Sequence, residues 1–384
     1  MSAVIDKPPL WRTALSLFKG FDGWLALAIL ILMGIGLTAM YSSGFDHGTR
    51  FVDHSRNMLL AWAIILAVAM VPQQRLQQLA VPLYTLGAVL LLAVLLFGIT
   101  KKGATRWINI GVVIQPSELL KIAAPMMLAW WFQRREGTPQ TMDYVIAFGL
   151  LLLPVGLIMK QPDLGTALLV LMTGASVIFF AGLSWRLVLP PIILGAIAIT
   201  LLVWNGDALC QPDVDWHILR EYQRQRVCTL LDPTRDPLGK GFHILQGMIA
   251  IGSGGVWGKG FMQGTQTHLE FIPERTTDFI FAAYSEEFGF IGNIVLLLAF
   301  IFLIARIFII AAQASTRFGR LMAGSIGVMF FTYTFVNIGM VSGILPVVGV
   351  PLPFISYGGT AMVTLGLSLG ILFSIARDRR TFHS

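Results

Sequence analysis

The chain has 384 residues, of which 56% are hydrophobic and 12% charged, with a mean hydropathy of +0.75. An ordinary soluble domain carries about 25% charged residues, so this composition excludes a soluble enzyme and a disordered chain and leaves a polytopic membrane bundle. The 27 Lys and Arg against 20 Asp and Glu give a net charge of +7, which in such a bundle reports basic cytoplasmic loops; with no Lys/Arg block or aromatic RNA-binding motif, no nucleic-acid partner is expected.

The first 20 or so residues are polar and carry Lys7, Arg12 and Lys19, and the apolar run after them lacks a small-residue cleavage site, so the start reads as a signal anchor. Ten apolar runs follow, at about 24–41, 58–71, 79–97, 119–132, 145–159, 167–183, 187–204, 288–310, 321–340 and 361–375. The second, fourth and fifth fall short of the roughly 20 residues a span needs, and the charge pattern supports them. With both termini inside, every short inside loop is basic, including Arg75, the Arg134–Arg135 pair, Arg186 and Arg317. Two outer segments break the pattern: Lys101, Lys102 and Arg106 in one short loop, and seven basic residues between Asn205 and Thr277. Long segments cross largely regardless of charge; the short one needs a reason. The expectation is one all-α polytopic domain over 1–384, a bundle of ten transmembrane helices with one large extracytoplasmic loop, 205–277, between helices 7 and 8.

A loop of that length in a bundle of short connections is usually functional. Within it, GKGFHILQGMIAIGSGGVWGKG predicts an amphipathic or re-entrant helix at the outer surface. Its end resembles a phosphate loop but fails as one: Ser253 stands where a Walker glycine is needed and Gly260 replaces the hydroxyl residue after Lys259. Six histidines form neither HExxH nor a compact cluster, two cysteines exclude a Cys-rich metal site, and no GxSxG elbow is present. Cys210 and Cys228 share the outer loop. In an oxidising compartment a bridge between them is worth about 3 kcal/mol on the chain-entropy model, with two free thiols the equal alternative.

Ionisable residues at membrane depth carry the most information, because an unpaired charge there costs at least a few kcal/mol. In QPSELLKI, Glu118 and Lys121 lie three apart on one helix face and can neutralise each other. In KQPDLGTALL, Asp163 reads first as an N-cap. In PERTTDFIFAAYSEEFGFIG, Asp278 ends the outer loop at the lip of the eighth apolar segment, with Glu286 and Glu287 two turns on, and a carboxylate so placed suits a general base. From Asn337 to Thr360, prolines and glycines at membrane depth call for irregular backbone, tolerated only where protein or a cavity covers it.

GILPVVGVPLPFISYGG after Asn337 resembles the signature of the SEDS family (shape, elongation, division and sporulation) of membrane glycosyltransferases. KKGATRWINIGVVIQPSELLKI, KQPDLGTALL, YQRQRV, LLDPTRDPLGKGFHILQ, IAIGSGG and FIPERTTDFIF resemble its other blocks in the same order, across essentially the whole chain and closest to the elongation branch. The resemblance implies a peptidoglycan glycosyltransferase of the bacterial inner membrane. It would have both termini cytoplasmic and a periplasmic active site, and would polymerise lipid II into β-1,4 glycan with loss of undecaprenyl pyrophosphate. It places the catalytic base on Asp278. It makes Lys101, Lys102 and Arg106 a head-group site and Trp107 a stacking or anchoring ring, and it adds Glu118, Lys121, Asp163, Lys259 and Ser356 as substrate-binding positions. The implied partners are a class B penicillin-binding protein and other elongation-complex proteins. No cofactor is certain; a divalent cation (Mg or Mn) on the pyrophosphate is an open element, with no ligand cluster visible. A lipid II transporter and a non-catalytic scaffold for a transpeptidase are the competing classes.

Overall fold

The computed structural model describes residues 21–381, apart from 47, 102, 103, 110, 112, 136, 212–220, 236–238 and 273. Lys7, Arg12, Lys19 and Lys102 lie outside the described residues. Each of the ten apolar runs overlaps a long helix, the second and sixth running two and three residues past its end: α1 Gly23–Ser43, α2 Arg50–Ala69, α3 Gln73–Phe97, α4 Pro116–Gln133, α5 Thr141–Lys160, α6 Leu164–Phe180, α7 Trp185–Trp204, α8 Ile280–Ala312, α9 Arg317–Val341 and α10 Gly359–Thr381. Eight described helices are long and apolar enough to cross a membrane; α6 is shorter, and α4, with Glu118 and Lys121, is not among the eight. The chain is a multi-pass helical membrane protein.

Local chemistry sets the helix starts. Asp22 caps α1 by accepting from Leu25 N at 3.0 Å, Thr316 caps α9 through Gly319 N at 2.9 Å, and Gln140 with Asp143 forms a capping box on α5. Pro116 opens α4, where its missing N–H costs nothing. The core lies around α9, which packs against α4, α6 and α8 and has 78% of its apolar window buried. α10 runs along α2 in close contact: a Cβ on Gly370 would stand 2.6 Å from Val68 Cβ, the small-residue packing that membrane helices use to approach closely. α7 is the opposite case, with no buried residue.

Two features depart from the expectation. The fold is not purely helical: Ile99–Lys101 (β1), Ala104–Asn109 (β2) and Val113–Ile114 (β3) form an antiparallel sheet in the order β1-β2-β3, pairing Ile99 with Trp107 and Ile108 with Ile114. The strands, two to six residues long, are too short to register as a periodic signal beside flanking 20-residue apolar runs, although Thr100, Thr105, Trp107 and Ile108 are residues that favour strands. The long 205–277 connection is itself structured, with helices Gly206–Leu209, Glu221–Leu231, Lys240–Ser253 and Thr265–His268 among its described residues. Lys240–Ser253 is the short helix expected there, and it packs on α8. Cys210 and Cys228 are joined in a disulfide, with Cα atoms 5.6 Å apart.

Candidate active site

Asp278 sits half-buried in the tight turn that precedes α8. Thr277 N and Phe279 N both donate to Glu274 O, at 3.0 and 3.1 Å, and Thr277 Oγ1 donates to Glu274 Oε2 at 2.7 Å, so the turn closes on itself. The corner between α1 and α2 braces it from one side: buried Arg275 donates to Ser43 O at 3.0 Å and to Asp46, and Arg50 donates to Thr276 Oγ1. From the other side, Asn337 of α9 donates to Asp278 O at 3.1 Å, Ser356 Oγ to Thr277 O at 2.7 Å and Tyr357 N to Thr276 O at 2.8 Å.

The irregular stretch 342–358 lies against that turn. Its kinks occur at Gly343 and Gly349, each with φ near +73°, and at Phe354, with φ +63°. Gly349 faces the acid: a Cβ there would stand 3.4 Å from Asp278 Oδ2. One residue away, Val348 O meets the start of α6, 2.8 Å from where a Cβ on Gly165 would lie. Asp163 caps α6 through Thr166 N at 3.3 Å, receives Gln115 Nε2 at 2.8 Å and stands 3.7 Å from Arg106 Nη1, while Arg106 Nη2 donates to Pro162 O. Residues 348–350 therefore separate two carboxylates, Asp278 on one flank and Asp163 on the other.

A second polar group lies deeper. Lys121, 3% exposed, donates to Glu118 Oε1 at 2.6 Å and to Tyr333 OH at 2.9 Å, and Thr364 Oγ1 donates to Glu118 Oε2 at 3.0 Å, tying α4, α9 and α10 together. A small void beside Lys121 is lined by Thr173, Ser325 and Ser368. Above α8, fully buried Glu286 collects Lys259 Nζ at 2.7 Å, Thr265 Oγ1 at 3.1 Å, Gln266 N at 2.8 Å, and Thr267 N and Oγ1 at 3.2 and 3.1 Å. Ser42 donates to Glu287. The glycines of IGSGGVWGKG lie backbone to backbone on the break in α8 at Gly289, where φ is +64°: Lys259 N donates to Glu286 O and Gly260 N to Glu287 O, both at 3.0 Å. No group of three His, Cys, Asp or Glu residues that could hold a metal ion occurs among the described residues.

The family model for the cell cycle proteins FtsW, RodA and SpoVE matches residues 22–381. The chain belongs to this family. Similar members include the peptidoglycan glycosyltransferase MrdB of Escherichia coli strain K12, 45% identical over 358 residues, 93% of each chain. The peptidoglycan glycosyltransferase RodA of Treponema pallidum strain Nichols is 30% identical, across 92% of this chain and 97% of that protein. Among solved structures, a chain from a peptidoglycan synthase complex that coordinates polymerization and crosslinking superposes with a TM-score of 0.77 at 31% identity, covering 94% of this chain and 98% of that one. The rod shape determining protein RodA of Thermus thermophilus gives 0.69 at 28%, covering 94% and 97%.

Within this FtsW, RodA and SpoVE family frame, the structure brings Asp278 and Ser356 together through Thr277, Asp163 with Arg106, and Glu118 with Lys121. Lys259 turns to Glu286. Of the basic cluster expected outside, Arg106 pairs with Asp163, Lys101 lies in β1, and Trp107 is half-buried in β2. Sequence reasoning missed Tyr333, Thr364, Gln115, Arg50 and the roles of Asn337 and Arg275. Their partners lie 13 to 246 positions away in the chain, so no local spacing marks them. Arg275, three residues before the acid and next to Glu274 in PERTTD, was the visible signal.

Proposed function

We propose that the chain is a peptidoglycan glycosyltransferase that polymerises lipid II at the outer face of the bacterial inner membrane, with Asp278 as general base. The observation that carries the assignment is the placement of Asp278 in a doubly braced turn at the lip of α8, facing the Gly349 backbone. A base needs a fixed position near the proton it takes, and the brace supplies that. In the reaction, Asp278 takes the proton of the acceptor's 4-hydroxyl, and that oxygen attacks the anomeric carbon of the donor. The new C–O bond forms as the bond to pyrophosphate breaks, and the electron pair leaves with undecaprenyl pyrophosphate. Attack opposite an α-linked leaving group gives the β-1,4 bond with inversion. Lys101, Lys102, Arg106 and Trp107 bind the lipid-linked head group, Asp163 orients Arg106, and Glu118 with Lys121 holds the helices beneath.

The ten long helices span the membrane with both termini cytoplasmic and the 205–277 loop periplasmic, which puts Asp278 outside. A class B penicillin-binding protein is the partner. Support comes from the solved synthase-complex chain that this one resembles. The described residues offer no carboxylate cluster for a divalent cation, so a Mg or Mn ion would be held chiefly by the pyrophosphate and would supply charge neutralisation to the leaving group.

The test is purified full-length protein with a cognate penicillin-binding protein and lipid II. Glycan strands are expected from the native chain and none from Asp278→Ala, with folding and partner binding kept; EDTA followed by Mg or Mn add-back reads the cation. Normal polymer from Asp278→Ala removes the base, and lipid II flipping without polymer favours the transporter. Membrane-impermeant labelling of a cysteine introduced at Gly349 in intact spheroplasts should succeed; labelling only after lysis overturns the orientation.

A further inference from the structure

The backbone around Asp278 is held in an unusual way. Three consecutive carbonyls, Thr276, Thr277 and Asp278, lie just ahead of Phe279, the N-cap of α8, where no helical N–H reaches them, and each accepts from the 337–357 region: Tyr357 N at 2.8 Å, Ser356 Oγ at 2.7 Å and Asn337 Nδ2 at 3.1 Å. The two side-chain donors are themselves fixed. Asn337 Nδ2 also donates to Val350 O at 2.7 Å, and Ser356 Oγ accepts from Leu352 N at 2.8 Å. Asn337 is fully buried and Ser356 is 3% exposed, so neither presents its polar atoms to the open side of the site. Ser356 is thereby used twice by main chain, which leaves little of its hydroxyl for a sugar or phosphate.

We propose that Asn337 and Ser356 are positioning residues that set the height and direction of Asp278 by holding the carbonyls of its turn, and that Ser356 acts through this grip instead of by contact with substrate. The inference rests on Asp278 being the base. The same two residues hold Val350 and Leu352 on either side of the proline at 351, so they lock the distance between the acid and the glycine wall that faces it. A displacement of about 1 Å in a reacting group can cost on the order of 100-fold in rate while leaving binding intact, so the cost of losing the grip falls on turnover.

The experiment is steady-state glycan synthesis by the full chain with its penicillin-binding partner and lipid II, for Ser356→Ala, Ser356→Thr and Asn337→Ala, with Asp278→Ala run alongside and melting curves recorded for each. The expected result is kcat down about 10- to 100-fold for Ser356→Ala and Asn337→Ala with KM within about twofold of native, and most of the activity restored in Ser356→Thr, which keeps the hydroxyl. Native kcat in Ser356→Ala overturns the inference. So does a raised KM at native kcat, which would make Ser356 a substrate ligand, and so does equal loss in the Ala and Thr variants with a lowered melting point, which would make it merely structural. Activity in Asp278→Ala sinks the base assignment itself; an inactive Asp278→Ala beside an unaffected Ser356→Ala sinks only the positioning role.

Discussion

Glu286 has no exposed surface and meets five donors, one of them the Lys259 ammonium. A buried carboxylate stripped of its cation is costly, because desolvation is no longer offset. Lys259→Ala is therefore expected to lower folding stability by about 3 kcal/mol, read as a lower melting temperature, and adding Glu286→Gln to it should recover part of the loss. A Lys259→Ala protein that melts like the native one and shows a raised KM for lipid II would return this lysine to the substrate site. The residue-level legibility of the site follows the same physics. Glu118 with Lys121, and Asp163 as a cap, were legible because their key partners lie three residues away or in the next turn. Lys259 was not, since its partner lies 27 residues on and across a chain reversal. The arginine at 106, awkward for a positive-inside count, is largely satisfied by Asp163 and the Pro162 carbonyl.

The elements repeat that division. Long helices announce themselves by apolar length: eight of the ten runs lie inside their helices, and the second and sixth run two and three residues past the helix end. What length alone does not disclose is the break at Gly289. There the chain takes φ +64° inside an apolar stretch so that the 254–260 strap can lie on α8 main chain to main chain. The glycine run that imitates a phosphate loop is explained by this contact: a side chain at Gly258, with φ +79°, would collide with Glu287 O. Gly258→Ala should reduce the yield of folded protein sharply, whereas Gly255→Ala, with φ +54° but open space around it, should cost only about 1 kcal/mol of backbone strain; equal yields would refute the packing account.

At the scale of the whole molecule, nine of the ten long helices among the described residues share buried surface and α7 does not. Its C-terminal end is secured by other means. Cys210 bonds to Cys228, Arg224 donates to Gln211 O at 2.6 Å, and Gly206 presses on Leu231, so the end of α7 and the Glu221–Leu231 helix form one unit. That unit continues through Pro233–Arg235 to Lys240–Ser253, where Gly247 packs against the Phe279 ring next to the acid. A helix with no buried face would move along the bilayer normal as the hydrocarbon thickness changes, at fractions of a kcal/mol per Å. Because the staple ties the end of α7 to the unit that reaches Phe279 beside Asp278, such a movement would be passed to the site, and turnover is expected to depend on membrane thickness. Strand synthesis in vesicles of graded acyl length should pass through an optimum, and Cys210→Ser should flatten that curve; an identical curve without the staple would show that the rod floats unheard.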